Sequence, residues 1–217
     1  MSGKHIGFIL CICAFLFFHV NCLYPQDYIM SGGGGIAKAA GADSEDWNMG
    51  FCGYGCVLWP VHENIRLGLM VSYNKWSFDD DEFLSHFFVE DYHIESLSAS
   101  AKIIEISPVV RVISTRPDHR KIQFLGQIGA GYYILRQKGT FDYSYQDESG
   151  GQMHFENGIE FLKIEDEKIG LNFGAGLVIR DIFHCNIEIY PVHHIIFTEK
   201  KSTQYMTLNV GLNFRAH

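Results

Sequence analysis

Apolar and polar residues alternate along most of the chain, and the alternation is clearest in its last segment, Gln204–His217. One parity is apolar and comprises Met206, Leu208, Val210, Leu212 and Phe214. The other parity is small or polar and comprises Thr207, Asn209, Gly211 and Asn213. Because successive side chains of a strand point to opposite faces, this segment predicts a strand with one apolar and one polar face.

Similar segments precede it along the whole chain. They are Tyr28–Ala37, Trp47–Trp59, Ile65–Trp76, Lys102–Ile113, Lys121–Leu135, Glu167–Ile179 and Cys185–Thr198. Three short connections, 60–64, 115–120 and 180–184, alternate with three longer ones, 38–46, 77–98 and 138–166. An even number of strands joined by alternately short and long connections is typical of a membrane barrel. The pattern predicts an all-β fold, an eight-stranded antiparallel up-and-down transmembrane β-barrel.

Two prolines fall inside predicted strands, Pro108 and Pro191. A closed barrel has no free edge at which a missing N–H could be tolerated, so each proline is expected at a bulge or near a strand end. The alternation also blurs after Pro191, which favours a bulge there.

Composition narrows the class of protein. The 217 residues suit one domain, and the aromatic content of 14% together with 22 glycines suits a barrel with aromatic rings at the membrane interfaces. A formal net charge of −8 argues against nucleic-acid binding. Residues 1–22 combine Lys4 with a long apolar run, which predicts a secretory signal peptide followed by a barrel domain at 28–217.

The direction of the apolar faces separates two interpretations. In an outer-membrane barrel they contact lipid, and the interior holds polar residues and glycine. In a secreted, soluble, lipocalin-like barrel that binds a ligand, the same apolar residues would face inward.

The C-terminal strand carries the pattern Asn209-x-Gly211-x-x-Phe214, followed by Arg215, Ala216 and His217. With the signal and the alternating segments, it resembles the small eight-stranded outer-membrane β-barrel proteins of Gram-negative bacteria, the OmpA/OmpX-like superfamily. The resemblance implies a porin-like barrel of the cell envelope, surrounded by outer-membrane lipid. It also implies that Asn209, Gly211 and Phe214 form a signal for the barrel assembly machinery. The chain departs from the family in not ending on an aromatic residue.

Four charged residues face inward by parity, namely Arg66, Glu105, Arg111 and Glu188. Charges inside a narrow barrel must be paired or hydrated. Eight strands enclose just enough room for side chains, so a salt-bridged plug is favoured over an ion path.

Aromatic residues near strand ends predict interfacial belts, above all Trp47, Trp59, Tyr73 and Trp76, and also Tyr132, Tyr133, Tyr190 and Tyr205. The connection at 77–98 is rich in acidic and aromatic residues. An exposed connection of this kind, or the one at 138–166, is a candidate binding site for an extracellular ligand.

Catalytic and metal chemistry find little support. Some barrels of this superfamily cleave lipid with a His-x-Ser pair, but Ile195 and Ile196 follow His193 and His194 at that spacing. Cys52 and Cys56 lie four residues apart on one strand, about 13 Å by strand geometry. That separation excludes a disulfide and a shared zinc ion. We therefore expect no catalytic residue, metal or cofactor, and predict a structural or surface-interaction protein of the bacterial outer membrane. The alternatives are a lipid-modifying barrel enzyme and the soluble carrier.

Overall fold

The computed structural model describes residues 28–40, 47–77, 92–114, 121–146, 153–182, 185–198 and 202–216. Its strands are β1 (Tyr28–Ala40), β2 (Gly50–Pro60), β3 (Ile65–Ser77), β4 (Tyr92–Ile113), β5 (Ile122–Gln146), β6 (Met153–Ile182), β7 (Cys185–Phe197) and β8 (Ser202–Ala216). Each strand pairs antiparallel with the next, and β8 pairs with β1. The predicted eight-stranded antiparallel up-and-down barrel is therefore confirmed.

The proposed signal peptide at 1–22 lies outside the described residues. Among the residues that are described, no helix is long and apolar enough to cross a membrane.

The apolar parity faces outward on the strands that carry the clearest alternation. On β6, Leu171 is 40% exposed while its neighbour Asn172 is fully buried. On β8, Leu208 and Val210 are exposed while Asn209 and Asn213 are buried. The barrel interior therefore combines polar and charged groups with buried apolar and aromatic side chains. The polar parity of these strands faces inward, as the membrane interpretation requires.

Both prolines lie in uninterrupted register, so the predicted bulges are wrong. Ile106 pairs with Tyr132 and Val109 with Gly129, which is the same register on both sides of Pro108. Likewise Gly174 pairs with Val192 and Leu177 with Ile189, in phase across Pro191. A proline removes one N–H donor without adding a residue, so pairing is interrupted locally and resumes unshifted.

Three consecutive strands are much longer than the sequence pattern predicted. β4, β5 and β6 have 22, 25 and 30 residues, whereas the other strands have 11 to 15. Because β3 ends opposite Ser100 and β7 reaches β6 only from Gly170 onward, the outer parts of β4–β6 stand beyond their neighbours. We call this three-stranded extension, residues 92–99, 139–146 and 153–168, the projection.

The projection corrects the expectation of a long loop at 138–166, since 138–146 and 153–166 are strand. Of the loop expected at 77–98, residues 92–98 are strand, and 78–91 lie outside the described residues. Its register shifts at Ile94/Ser96, Gly139/Thr140 and Phe141/Tyr143. Beyond the closed part of the barrel a strand no longer separates an enclosed interior from its surroundings, so strand pairing there leaves little periodic signal. The opposite end of the barrel, which carries the 61–64 connection, is called the turn end.

Candidate functional site

The barrel interior holds two clusters of buried ionisable side chains. Glu188 and Arg111 form the first cluster, toward the turn end, and Glu105 and His194 form the second. Glu105, Arg111 and Glu188 are fully buried and His194 is nearly so. All four project from inward-facing positions of β4 and β7, which lie on different sides of the barrel.

The Glu188 cluster is a buried ion pair with additional hydrogen-bond donors. The Arg111 Nη1 lies 3.0 Å from Glu188 Oε2. Ser31 Oγ (2.5 Å), Asn213 Nδ2 (2.9 Å) and the Tyr54 hydroxyl also donate to the carboxylate. Arg111 donates in addition to Gln127 Oε1 at 2.7 Å and to the Tyr190 hydroxyl at 2.8 Å. The pair is thus supplied with the surrounding hydrogen bonds that a buried salt bridge needs.

The Glu105 cluster also surrounds a carboxylate with donors. Asn172 Nδ2 (2.7 Å) and the Tyr133 hydroxyl (2.9 Å) donate to Glu105 Oε1, and Ser72 Oγ (3.0 Å) donates to Oε2. His194 Nδ1 lies 3.2 Å from Oε2, at ion-pair distance when the ring is protonated. The imidazole stacks on the Tyr205 ring, with centroids 4.2 Å apart and planes 4° from parallel.

Gln127 and Asn172 connect the two clusters into one hydrogen-bonded chain. Gln127 accepts from Arg111 and donates to Asn172 Oδ1 at 3.2 Å, and Asn172 donates to Glu105. Gly129 leaves room for this chain, because a Cβ there would lie 2.7 Å from Asn172 Nδ2 and 2.8 Å from Ser107 Oγ. The network therefore runs continuously from Arg111 to His194.

One small cavity borders the network, lined by residues that include Cys52, Ser72, His194 and Asn209. Its volume of about 10 Å³ is about that of a single water molecule. A cavity of this size holds no organic substrate. The interior around the two clusters is thus closely packed, and Glu105, Arg111, Glu188 and His194 each have a charged or hydrogen-bonding partner.

Arg66 does not join the Glu188 cluster, although the sequence pattern grouped it with Glu105, Arg111 and Glu188. Instead it lines a wide opening of about 860 Å³ at the turn end, together with Arg180 and Arg215. Within the described residues no hydrogen bond joins Arg66 to Glu188.

The residues of the predicted assembly signal lie on both walls of β8. Asn209 faces the interior and donates to Thr207 Oγ1 at 3.0 Å. Gly211 also faces inward, where any Cβ would overlap the Tyr54 hydroxyl. Phe214 faces outward and is exposed. Their role as an assembly signal stays a prediction.

The interfacial aromatic assignment needs correction. Trp76 is buried in the interior beside Tyr205, at 5.2 Å between ring centroids. Tyr133, Tyr190 and Tyr205 are buried there as well. Their parity is that of the inner wall, and the interior accepts aromatic rings whose hydroxyls meet charged or polar groups.

The remaining aromatics divide between the walls. Tyr73 is exposed on the outer wall, and Trp59 is half-buried with the outward parity of β2. Trp47 is half-buried and packs against two interior apolar clusters, so its placement also departs from the predicted belt.

The sequence pattern does not identify His194 as part of the network, because a bulge was expected at Pro191. With the register unbroken, the even-numbered residues of β7 continue to face inward, and the same parity as Glu188 would have identified it. His193 has the outward parity, and its ring centroid lies 5.1 Å from that of Phe173.

Cys52, Cys56 and Cys185 are free thiols. Across the described part of the chain, no group of three or more His, Cys, Asp or Glu residues is arranged to hold a metal ion.

The projection carries its own aromatic and polar contacts. The rings of Tyr143 and Tyr145 stack at 5.9 Å, and His154 stacks on Tyr145 at 5.2 Å. Asp142 accepts hydrogen bonds from Ser96 Oγ at 2.7 Å and from the Gly158 N–H at 2.6 Å. These two hydrogen bonds hold the pKa of Asp142 below its ordinary value, and the bond from Ser96 contributes more than the bond from Gly158.

Comparison with known proteins gives structural neighbours only. No family model matches the chain, and no curated protein does. Neisserial surface protein A is similar over 87% of this chain and 96% of that one, with 14% identity and a TM-score of 0.49. A major outer membrane protein from Thermus thermophilus is similar over 88% and 100% of the two chains, at 11% identity and a TM-score of 0.47.

A third similar structure is Ail, the attachment invasion locus protein of Yersinia pestis, solved in complex with the heparin analogue sucrose octasulfate. It covers 88% of this chain and 98% of that one, with 12% identity and a TM-score of 0.45. Identities this low concern the fold at most, and the functional interpretation rests on the chemistry of the chain's own two walls.

Proposed function

We propose that the chain is an integral β-barrel of the bacterial outer membrane with a structural or surface-interaction role and without catalysis. The observation that supports it is the outer wall, where large apolar side chains are exposed on every strand. Soluble monomers rarely expose contiguous apolar patches of more than a few hundred Å². A wall of this kind is stable where hydrocarbon, not water, surrounds it.

The apolar wall is continuous across strand boundaries. Val71 pairs with Ile106, Ile106 with Tyr132, and Tyr132 with Ile169, which forms one lateral row. On β5 the outward apolar positions run from Ile122 to Ile134, a length that suits a tilted membrane strand. The lipocalin-like alternative would need this wall inside the barrel.

The packed interior favours a role at the surface of the membrane over transport. Both charged clusters are closed by their own donors, and the cavity beside them is water-sized. The lipid-modifying alternative gains no support from the outer wall, where His193 is followed at the same parity by Ile195. A nucleophile at that place is what acyl transfer would require.

The projection supports an interaction role outside the cell. It places the tips of β4–β6 beyond the rim formed by the other strands, at the end opposite the 61–64 turn. Aromatic rings carried on paired strands are suited to binding a partner, because a tyrosine side chain loses little conformational entropy for a large contact area. We propose that an extracellular partner contacts this part of the chain.

Cell fractionation with heat-modifiable gel migration tests the membrane assignment. We expect the mature chain in the outer-membrane fraction, extracted only by detergent, and migrating differently on a gel before and after boiling. Recovery in the soluble fraction without detergent would support the soluble carrier and overturn the proposal.

Thiol labelling on intact cells tests the orientation. In a Cys185→Ser background the remaining described thiols, Cys52 and Cys56, are buried. A membrane-impermeant maleimide should label Asn157→Cys in the projection on intact cells. The matched variant Glu63→Cys, at the turn end, should be labelled only after the outer membrane is permeabilised. The reverse result would contradict the proposed orientation.

A further inference from the structure

Three basic residues on consecutive strands lie side by side on the outer wall at the projecting end. Lys75 of β3 pairs directly with Lys102 of β4, and Lys102 pairs directly with Arg136 of β5. All three have the outward parity of their strands. We call Lys75, Lys102 and Arg136 the basic ridge.

Within the described part of the chain, carboxylates do little to neutralise the basic ridge. Arg136 lies 3.9 Å from Glu165, but the two side chains are 62% and 71% exposed, so this pair is weak. Among the described residues no carboxylate forms an ion pair with Lys75 or Lys102. Like charges placed directly opposite each other on neighbouring strands repel and destabilise the sheet. An external anion that contacts all three would relieve this repulsion.

The ridge lies directly beyond the apolar wall. Tyr73, Ile104 and Ile134 are themselves cross-strand neighbours. Each stands two residues from one basic residue on the same strand and face, a distance of about 6.6 Å along the strand. A row of cations one step above a hydrocarbon-facing row occupies the level at which lipid head groups begin.

We propose that the basic ridge binds the phosphate groups of lipids in the outer leaflet. The inference rests on the proposed membrane location. Charge complementarity identifies the ligand, because three adjacent cations suit a doubly phosphorylated head group. Lys and Arg both bind phosphate oxygens, and Arg does so with two parallel N–H donors. The neighbouring apolar row holds the acyl chains of the same lipid, which a free anion lacks.

Thermal unfolding in lipid nanodiscs tests the proposal. The wild-type barrel is compared in discs of phosphatidylcholine alone and in discs that also contain bisphosphorylated lipid A. We expect lipid A to raise the Tm of the wild type, and Lys102→Gln to reduce that rise by about 2–4 °C. In phosphatidylcholine alone, Lys102→Gln should leave the Tm unchanged or raise it, because it relieves repulsion within the ridge.

Lys38→Gln is the matched control. Lys38 is also an exposed, outward-facing lysine on the outer part of its strand, but its β8 neighbour is Met206, which is uncharged. It should keep the full lipid A effect. Inorganic phosphate added to phosphatidylcholine discs should not reproduce the rise.

Three outcomes would overturn the proposal. An equal loss of Tm for Lys102→Gln in both kinds of disc would assign the ridge to carboxylates of this chain. A rise with inorganic phosphate would assign it to a free anion, and an equal effect of Lys38→Gln would indicate general surface charge. A chain that does not enter nanodiscs at all would instead refute the membrane location itself.

Discussion

Adjacent residues of β4 meet opposite surroundings. Glu105, Ser107 and Arg111 are fully buried on the inner wall, whereas Ile106 and Val112, of the other parity, are 40% and 48% exposed on the outer wall. Each inner residue contacts a specific partner, such as Asn172 for Glu105 and Glu188 for Arg111. Ile106 instead lies in the lateral row of the outer wall, between Val71 and Tyr132.

The comparison shows that the two faces of one strand place different requirements on their side chains. On the inner wall a side chain is stabilised by donors and acceptors at fixed positions, so removing a single partner leaves a buried polar group unsatisfied. On the outer wall a side chain need only be apolar. The free-energy cost of a charged side chain on a lipid-facing wall depends on its depth in the bilayer. Substitutions on the two walls should therefore differ in size and in how they are rescued.

Removing the cation of the Glu188 cluster should have the largest effect. Arg111→Met leaves Glu188 buried without its ion-pair partner, and we expect the free energy of unfolding to fall by about 3–5 kcal/mol. Urea titration of the barrel in lipid vesicles measures it. The double variant Arg111→Met/Glu188→Gln buries no charge and should recover much of the loss. If the double variant were as unstable as the sum of both single changes, the ion pair would not be what holds this cluster.

A charge at the centre of the outer wall should come next. Ile128 lies midway along the apolar part of β5 and is more than half exposed. Ile128→Arg should lower the free energy of unfolding in vesicles by about 2–4 kcal/mol, because a guanidinium then lies near the bilayer midplane. Ser98→Arg, on the exposed face of the projection, is the control and should change little. Equal effects at both positions would indicate that neither contacts hydrocarbon.

The adjacent residues His193 and His194 of β7 lie on opposite walls, so substituting each in turn compares the two walls. His194→Phe keeps the stacking on Tyr205 but removes the N–H that faces Glu105, and should cost about 1.5–3 kcal/mol. His193→Phe, on the outer wall beside Phe173, should be neutral or slightly stabilising. The same urea titration measures both, and a larger loss for His193→Phe would reverse the assignment of the two walls.

The smallest effect concerns the projection. Since the pKa of Asp142 is lowered by its bonds from Ser96 and Gly158, ionised Asp142 stabilises the folded tip above the ordinary Asp pKa of about 3.9. That contribution is lost as pH falls through the lower pKa of the folded state. Hydrogen exchange should show falling protection of the Gly158 amide in this range, and Asp142→Asn should remove the dependence. An unchanged pH dependence in Asp142→Asn would show that another group is responsible.

The sequence pattern predicted the barrel because hydrocarbon imposes strict alternation on every membrane strand. Parity alone also placed Glu105, Arg111 and Glu188 on the inner wall. It could not show that Arg66 lies apart from Glu188, since that depends on height along the strand and on side-chain reach. Parity would also have placed His194 on the inner wall if no bulge had been predicted at Pro191.

Two other features were beyond the pattern. Trp76 and Tyr205 were assigned to the membrane interfaces by residue type, whereas the interior has room for rings that pack beside polar groups. The extensions of β5 and β6 lie beyond the closed part of the barrel, where no alternation is enforced and turn-like composition conceals strand pairing.

Nitroxide accessibility along the outer wall tests the central claim most directly. Spin labels at Ile128→Cys and Phe173→Cys should collide with dissolved oxygen far more often than with a water-soluble nickel chelate. Labels at Lys102→Cys and Ile122→Cys, near the two rims, should collide with the nickel chelate relatively more often. High nickel accessibility at all four positions in lipid vesicles would mean that water, not hydrocarbon, surrounds the wall.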